Sequence, residues 1–274
     1  MSWIAVARKD FRDSLRSRAL WGISALFILL SVIIAYVYAT FPDEMAISQT
    51  TGKGLIFFLA SNITLFVSIT AIVIAYKSLA GERESGSIKI MLALPHTRLD
   101  VLLGKIGGRA SVLAIPVVIA MAIGGIVGSV LIGDYAVVAL GIFLVVSLLF
   151  TLTYISLVVG ISAVTKSTTR SSALAIGFFL LLEFFWDVIS IGVVWAANGF
   201  TLPSEFPDWM FVMNQIPPSN AYSTLLYAVI PGRTGSAAEL DAFYATPWLG
   251  GVFLIFWLIV PAGIGYWRFV NADL

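Results

Sequence analysis

The chain has 274 residues, of which 59% are hydrophobic and 11% charged, with a mean hydropathy of +0.99. About a quarter of the residues of an ordinary soluble domain are charged, so this composition defines an integral membrane protein. With no cysteine and a single histidine, His96, the chain excludes disulfides, thiolate chemistry, Cys-ligated zinc and multi-histidine metal sites, and its net charge of +1 gives no basis for binding nucleic acid.

The first 18 residues read as an amphipathic arm. Trp3, Ala7, Phe11 and Leu15 recur every four residues, with Arg8, Lys9, Arg12, Asp13 and Arg16 between them, which predicts a helix lying in the headgroup plane. Six long runs follow that are free of lysine and arginine: residues 19–39, 55–76, 110–132, 136–164, 173–197 and 248–267. Each is long enough to cross a bilayer as a helix, for which ~20 apolar residues suffice, and none alternates as a barrel strand would. The first run exceeds the ~7–15 apolar residues of a cleaved leader and is read as a span. The fold class predicted is all-α, a single polytopic domain over residues 1–274.

Two connections carry internal order. In the loop 77–109, Ser87 is placed to cap a short helix with Ile88, Met91 and Leu92 on one face, stopped by Pro95. Thr97 and Asp100 then form a capping-box-like start for a helix running into the third span. Such a loop either rests on the membrane or docks into a soluble partner. The third and fourth spans are joined by Gly133, Asp134 and Tyr135 alone, a tight antiparallel pair, and Gly124 and Gly128 form a small-xxx-small step suited to close packing within the chain. The segment 198–247 is rich in aromatic residues and is read as re-entrant or interfacial helices capping one side of the bundle.

Fourteen of the sixteen basic residues fall on one side of this arrangement: the arm, the loop 77–109, Lys166 and Arg170 between spans four and five, and Arg268. Only Lys53 and Arg233 fall on the other, so the rich side, with both termini, is assigned to the cytoplasm. The fifth span alone contains acids, Glu183 and Asp187, four residues apart and hence expected on one inward face. They are either a cation, proton or polar-substrate site or a protonated packing feature, with Asn62, Thr64, Ser68, Thr151, Thr153 and Tyr154 as available partners. There is no phosphate-binding loop, since Gly52-Lys53 is followed by Gly54 and Gly104-Lys105 by Ile106. Any ATP hydrolysis therefore belongs to another chain.

The arm from Ile4 to Arg18, the stretch Ala80-Gly81-Glu82-Arg83-Glu84-Ser85-Gly86-Ser87-Ile88-Lys89 up to Leu94-Pro95, and Leu102-Leu103-Gly104-Lys105 resemble the ABC-2 type permeases of ABC transporters, and within them the NosY-like branch. Gly86-Ser87 stands where Gly-Thr is usual. The resemblance implies an N-terminal elbow helix, six spans and a permease without catalytic activity of its own, homodimeric or paired with a similar permease. ATP and Mg would act on the partner ATPase. It further implies that Glu82, Arg83, Glu84, Gly86, Ser87, Ile88, Met91, Leu92 and Pro95 form a coupling element seated in the nucleotide-binding subunit. Lys166 and Arg170 would form a smaller contact, and Glu183 and Asp187 would lie along the translocation path. Export from the cell membrane is the direction implied. The rivals are a proton- or cation-coupled secondary transporter using the acid pair, and a non-transporting assembly factor.

Overall fold

A computed structural model describes residues 3–15, 18–44, 50–89, 97–230 and 246–271, and among these the regular structure is entirely helical. The elements are α1 (Trp3–Leu15), α2 (Arg18–Thr40), α3 (Gly52–Ala75), α4 (Ala80–Glu84), α5 (Arg98–Ile132), α6 (Val137–Val164), α7 (Thr168–Ala197), α8 (Asp208–Asn214), α9 (Pro218–Val229) and α10 (Leu249–Val270). Helices α2, α3, α5, α6, α7 and α10 are long and apolar enough to cross a membrane, and they contain the six predicted runs within a few residues. Met91, Leu92, Pro95 and His96, on which part of the loop reading depends, lie outside the described residues.

The helix ends follow local chemistry. Thr97 and Asp100 form the predicted capping box, each accepting the other's backbone N–H at 3.1 Å. Because this cap starts α5 twelve residues before its apolar run, the helix extends well past the third predicted span. Gly133, with φ of 77°, ends α5 in the left-handed conformation that glycine adopts without strain. The adjacent Asp134 accepts the N–H of Gly52 at 2.7 Å and so caps α3 from across the bundle. Pro218 sits at the first position of α9, where its missing N–H costs nothing.

Small residues set the helix crossings. A Cβ on Gly124 would lie 2.0 Å from the Ser31 hydroxyl, and one on Gly128 3.2 Å from the Ala35 Cβ. The small-xxx-small step of α5 therefore meets a second one on α2, within the chain. At the α6–α10 crossing, a Cβ on Gly160 would lie 2.4 Å from the Pro261 carbonyl oxygen and one on Gly265 2.7 Å from the Gly160 carbonyl oxygen. Helix α9 is tucked into the bundle rather than resting on it: Tyr222 is fully buried, stacks near Phe150 and shares a 2.7 Å hydrogen bond with Ser147.

Candidate functional site

The charged side chains gather where α1, α4 and the ends of α5, α6 and α7 meet, here termed the basic end. Helix α1 crosses the start of α5 so closely that a Cβ on Gly104 would lie 2.6 Å from that of Val6, and one on Gly108 2.8 Å from that of Asp10. The contact face of α1 is therefore Val6 and Asp10 with parts of Trp3 and Ala7, turned away from the Trp3–Phe11 stripe expected from periodicity; Trp3 is 44% exposed. The α5 glycines clear a trough, and Lys105 beside them gives the buried Asp10 a partner.

Lys105 is the centre of an ion network. Its ammonium lies 3.0 Å from Asp10 Oδ1 and 2.5 Å from Glu82 Oε1, with 6% of the side chain exposed, and Arg109 Nε lies 3.0 Å from Asp10 Oδ2. A lysine this buried is stable only when paired. The network joins α1, α4 and α5 through one cation.

The next two residues of α4 grip two further helices. Arg83 donates from Nη1 to the carbonyls of Ala163 (2.8 Å) and Thr165 (3.2 Å), filling acceptors left open at the end of α6. Glu84 accepts the Thr168 N–H at 2.9 Å and caps the start of α7, where a carboxylate is favoured by the helix dipole. The Ser162 hydroxyl adds bonds from the Leu79 and Ala80 N–H groups and donates to the Tyr76 carbonyl. Glu82, Arg83 and Glu84 thus hold α5, α6 and α7 from one short helix.

Past this clamp, Gly86 turns the chain with φ of 74°. The Ser87 hydroxyl reaches back toward the Glu82 carbonyl at 3.4 Å instead of capping forward, and Ile88 is buried at 1% exposure. Lys77, Lys89, Lys166 and Arg170 are among the exposed side chains at this end. Sequence reading missed Asp10, Lys105 and Arg109 as members of the site. The signal was present: Gly104, Gly107 and Gly108 mark a tight helix contact on the same turn as Lys105.

In the fifth span the two acids separate. Residues 181–185 of α7 form a π-turn, which holds an extra residue and shifts the helix register at Glu183. Glu183 faces the bundle and accepts a short hydrogen bond from the Tyr154 hydroxyl. Asp187 is exposed on the outer surface of the chain. The expectation that both face inward is corrected for Asp187: Glu183 is covered by Tyr154 of α6, whereas no such cover lies over Asp187 one turn on. Of the other expected partners, Ser68 stands beside the Tyr154 hydroxyl, while Asn62, Thr64, Thr151 and Thr153 donate to main-chain carbonyls.

Six bilayer-length helices, several of them tied to one short intervening helix by a charged hub, define a multi-pass membrane protein. The ABC-2 family transporter protein model matches residues 4–274, and the chain belongs to that family. It is 32% identical over 260 residues to the probable ABC transporter permease protein NosY of Pseudomonas aeruginosa, covering 89% of this chain and 90% of that one. It is 28% identical over 265 residues to the protein of the same name from Stutzerimonas stutzeri, covering 95% and 92%. The chain is thus a membrane subunit of an ABC transporter.

Proposed function

We propose that this chain couples ATP hydrolysis on a separate nucleotide-binding subunit, where ATP and Mg act, to export of a substrate across the cell membrane. Both termini and the basic end face the cytoplasm, and α1 is the elbow helix. Residues 82–95 seat in the ATPase, with Lys166 and Arg170 as a second contact. Two copies, or this chain and a similar permease, pair to enclose the path, to which Asp187 contributes.

The observation that carries this reading is the triple grip of Glu82, Arg83 and Glu84. A displacement of the segment that follows them is transmitted at once to α5, α6 and α7, and through Lys105 to α1. Closure of two ATPases would draw two such segments together and switch the paired spans as rigid bodies. The motif's helix-gripping charges transmit the motion, while exposed Lys89, Lys166 and Arg170 meet the partner.

The test is purification of the tagged chain from its native membrane in mild detergent, with co-purifying chains identified by mass spectrometry and ATPase activity assayed. An ABC-type ATPase is expected, bound more weakly by the double variant Lys166→Glu with Arg170→Glu, which remains inserted and folded. Recovery of the intact chain with no ATPase, under conditions that keep a known transporter together, overturns the reading.

A further inference from the structure

An open groove of about 570 Å³ runs between α1, α5, α6 and α10, walled by Trp3, Leu102, Leu103, Ile106, Leu258 and Ile259. Its residues span Leu99 to Gly107 on α5 and Leu258 to Tyr266 on α10. At the 1.5 Å rise of a helix each stretch is about 12 Å long, close to the ~15 Å depth of one leaflet of a ~30 Å hydrocarbon core. The walls offer little for a polar ligand: the Ser156 hydroxyl in the groove already donates to the Leu258 carbonyl at 2.6 Å. Gly107 and Gly263 leave the floor without side chains. At the basic end Arg98 bridges the two walls, donating from α5 to the Phe269 carbonyl and, at 2.9 Å, to the Val270 carbonyl of α10. This puts a guanidinium at the level where an apolar groove of that depth meets the headgroups.

We propose that the groove between α1, α5 and α10 is a site for one phospholipid of the cytoplasmic leaflet, an acyl chain lying along the groove and the phosphate drawn to Arg98. Shape, depth and charge all match this occupant: a slot of one leaflet's length, apolar throughout, with a phosphate-complementary cation at the end where the headgroup lies. The site joins the elbow to the spans. Trp3 forms one wall while α1 is tied to Lys105 through Asp10, so a bound chain fills the space between the ion network and α10. The leaflet named rests on the cytoplasmic placement of the basic end; the groove itself does not depend on an ATPase.

The structure supplies the variant. A Cβ on Gly263 meets nothing within 4 Å, so a side chain can start there without a backbone clash; Gly263→Phe is expected to fill the groove, and Gly22→Phe, at an equally open glycine on α2, is the matched control. Each protein is purified in mild detergent, washed with delipidating detergent, and examined by native mass spectrometry with phospholipid extraction. The unaltered chain and Gly22→Phe are expected to retain one phospholipid per chain, and Gly263→Phe to lose it. Leu103→Asn, at a partly exposed wall position, is expected to lower retention without filling the space, which keeps the test open should Gly263→Phe fail to insert. Equal retention by Gly263→Phe and the unaltered chain, no retention by either, or a retained mass that is an apolar cargo or a second copy instead of a phospholipid overturns the proposal. Because the readout is a bound mass in the absence of nucleotide, it fails or succeeds independently of ATPase pairing.

Discussion

Lys105 carries more of the fold than its neighbours in sequence. With its side chain 6% exposed and two carboxylates on its ammonium, Lys105→Met would take the cation from Glu82 and leave Asp10 with Arg109. Breaking a buried pair by removing one partner costs ~3–5 kcal/mol, against ~0–1 kcal/mol for an exposed one. Lys105→Met is therefore expected to lower the thermal midpoint in detergent sharply, whereas Arg170→Ala, at an exposed site, leaves it nearly unchanged. Adding Glu82→Gln to Lys105→Met should recover part of the loss, because the carboxylate that loses its cation is then neutral while Asp10 keeps Arg109. No recovery would mean that lost packing, not stranded charge, dominates. In the sequence Lys105 is one of fourteen basic residues on the rich side, and a count of charges by side carries no information about which of them is buried. The Thr97–Asp100 cap was legible because its two partners are three residues apart, whereas Asp10 and Lys105 are separated by 95 positions.

At the scale of elements, hydropathy gave the spans and glycines gave the crossings. The six runs were readable since a membrane helix must be apolar for its whole length. Which side chains are covered was less so: a spacing of four puts Glu183 and Asp187 on one face, but only at Glu183 does a neighbouring helix close over that face, with the Tyr154 hydroxyl of α6 reaching its carboxylate while Asp187 stands exposed. The crossings allow a sharp test. Gly160→Ala would bring a methyl 2.4 Å from the rigid Pro261 carbonyl oxygen, so α6 and α10 must separate. Gly141→Ala on the same helix meets nothing within 4 Å and gains the ~0.5–1 kcal/mol by which alanine exceeds glycine in a helix. Thermal unfolding of the two variants should shift in opposite directions; equal shifts would show that the α6–α10 contact is looser than its backbone spacing implies.

For the whole molecule, the exposed face of α7 is where the proposed pairing can be tested. Asp187 lies on that face among Phe184, Val188 and Ile191, all exposed. An acid presented to lipid near the middle of a span costs ~2.5–3.5 kcal/mol on insertion scales, so a helix bearing one belongs against protein or a wet cavity. The other sparsely covered helix, α10, has no acid and turns Ile259 and Ile264 outward, as a lipid-facing surface should. On the proposed pairing with a second permease, this asymmetry makes α7 the expected contact face, with Asp187 from each side lining the space between. The chain has no cysteine, so one introduced thiol reports without background. Val188→Cys, 67% exposed beside Asp187, is expected to give a disulfide-linked dimer on mild oxidation in native membranes. Val138→Cys, 74% exposed at the far end of α6, is expected to remain monomeric on a denaturing gel. If neither position cross-links while the chain co-purifies with a second copy, the pairing runs through another face and Asp187 is not between the subunits. If Val188→Cys does cross-link, ATP should lower its yield, because closure of the ATPases separates or rotates the α7 helices as the coupling segments come together.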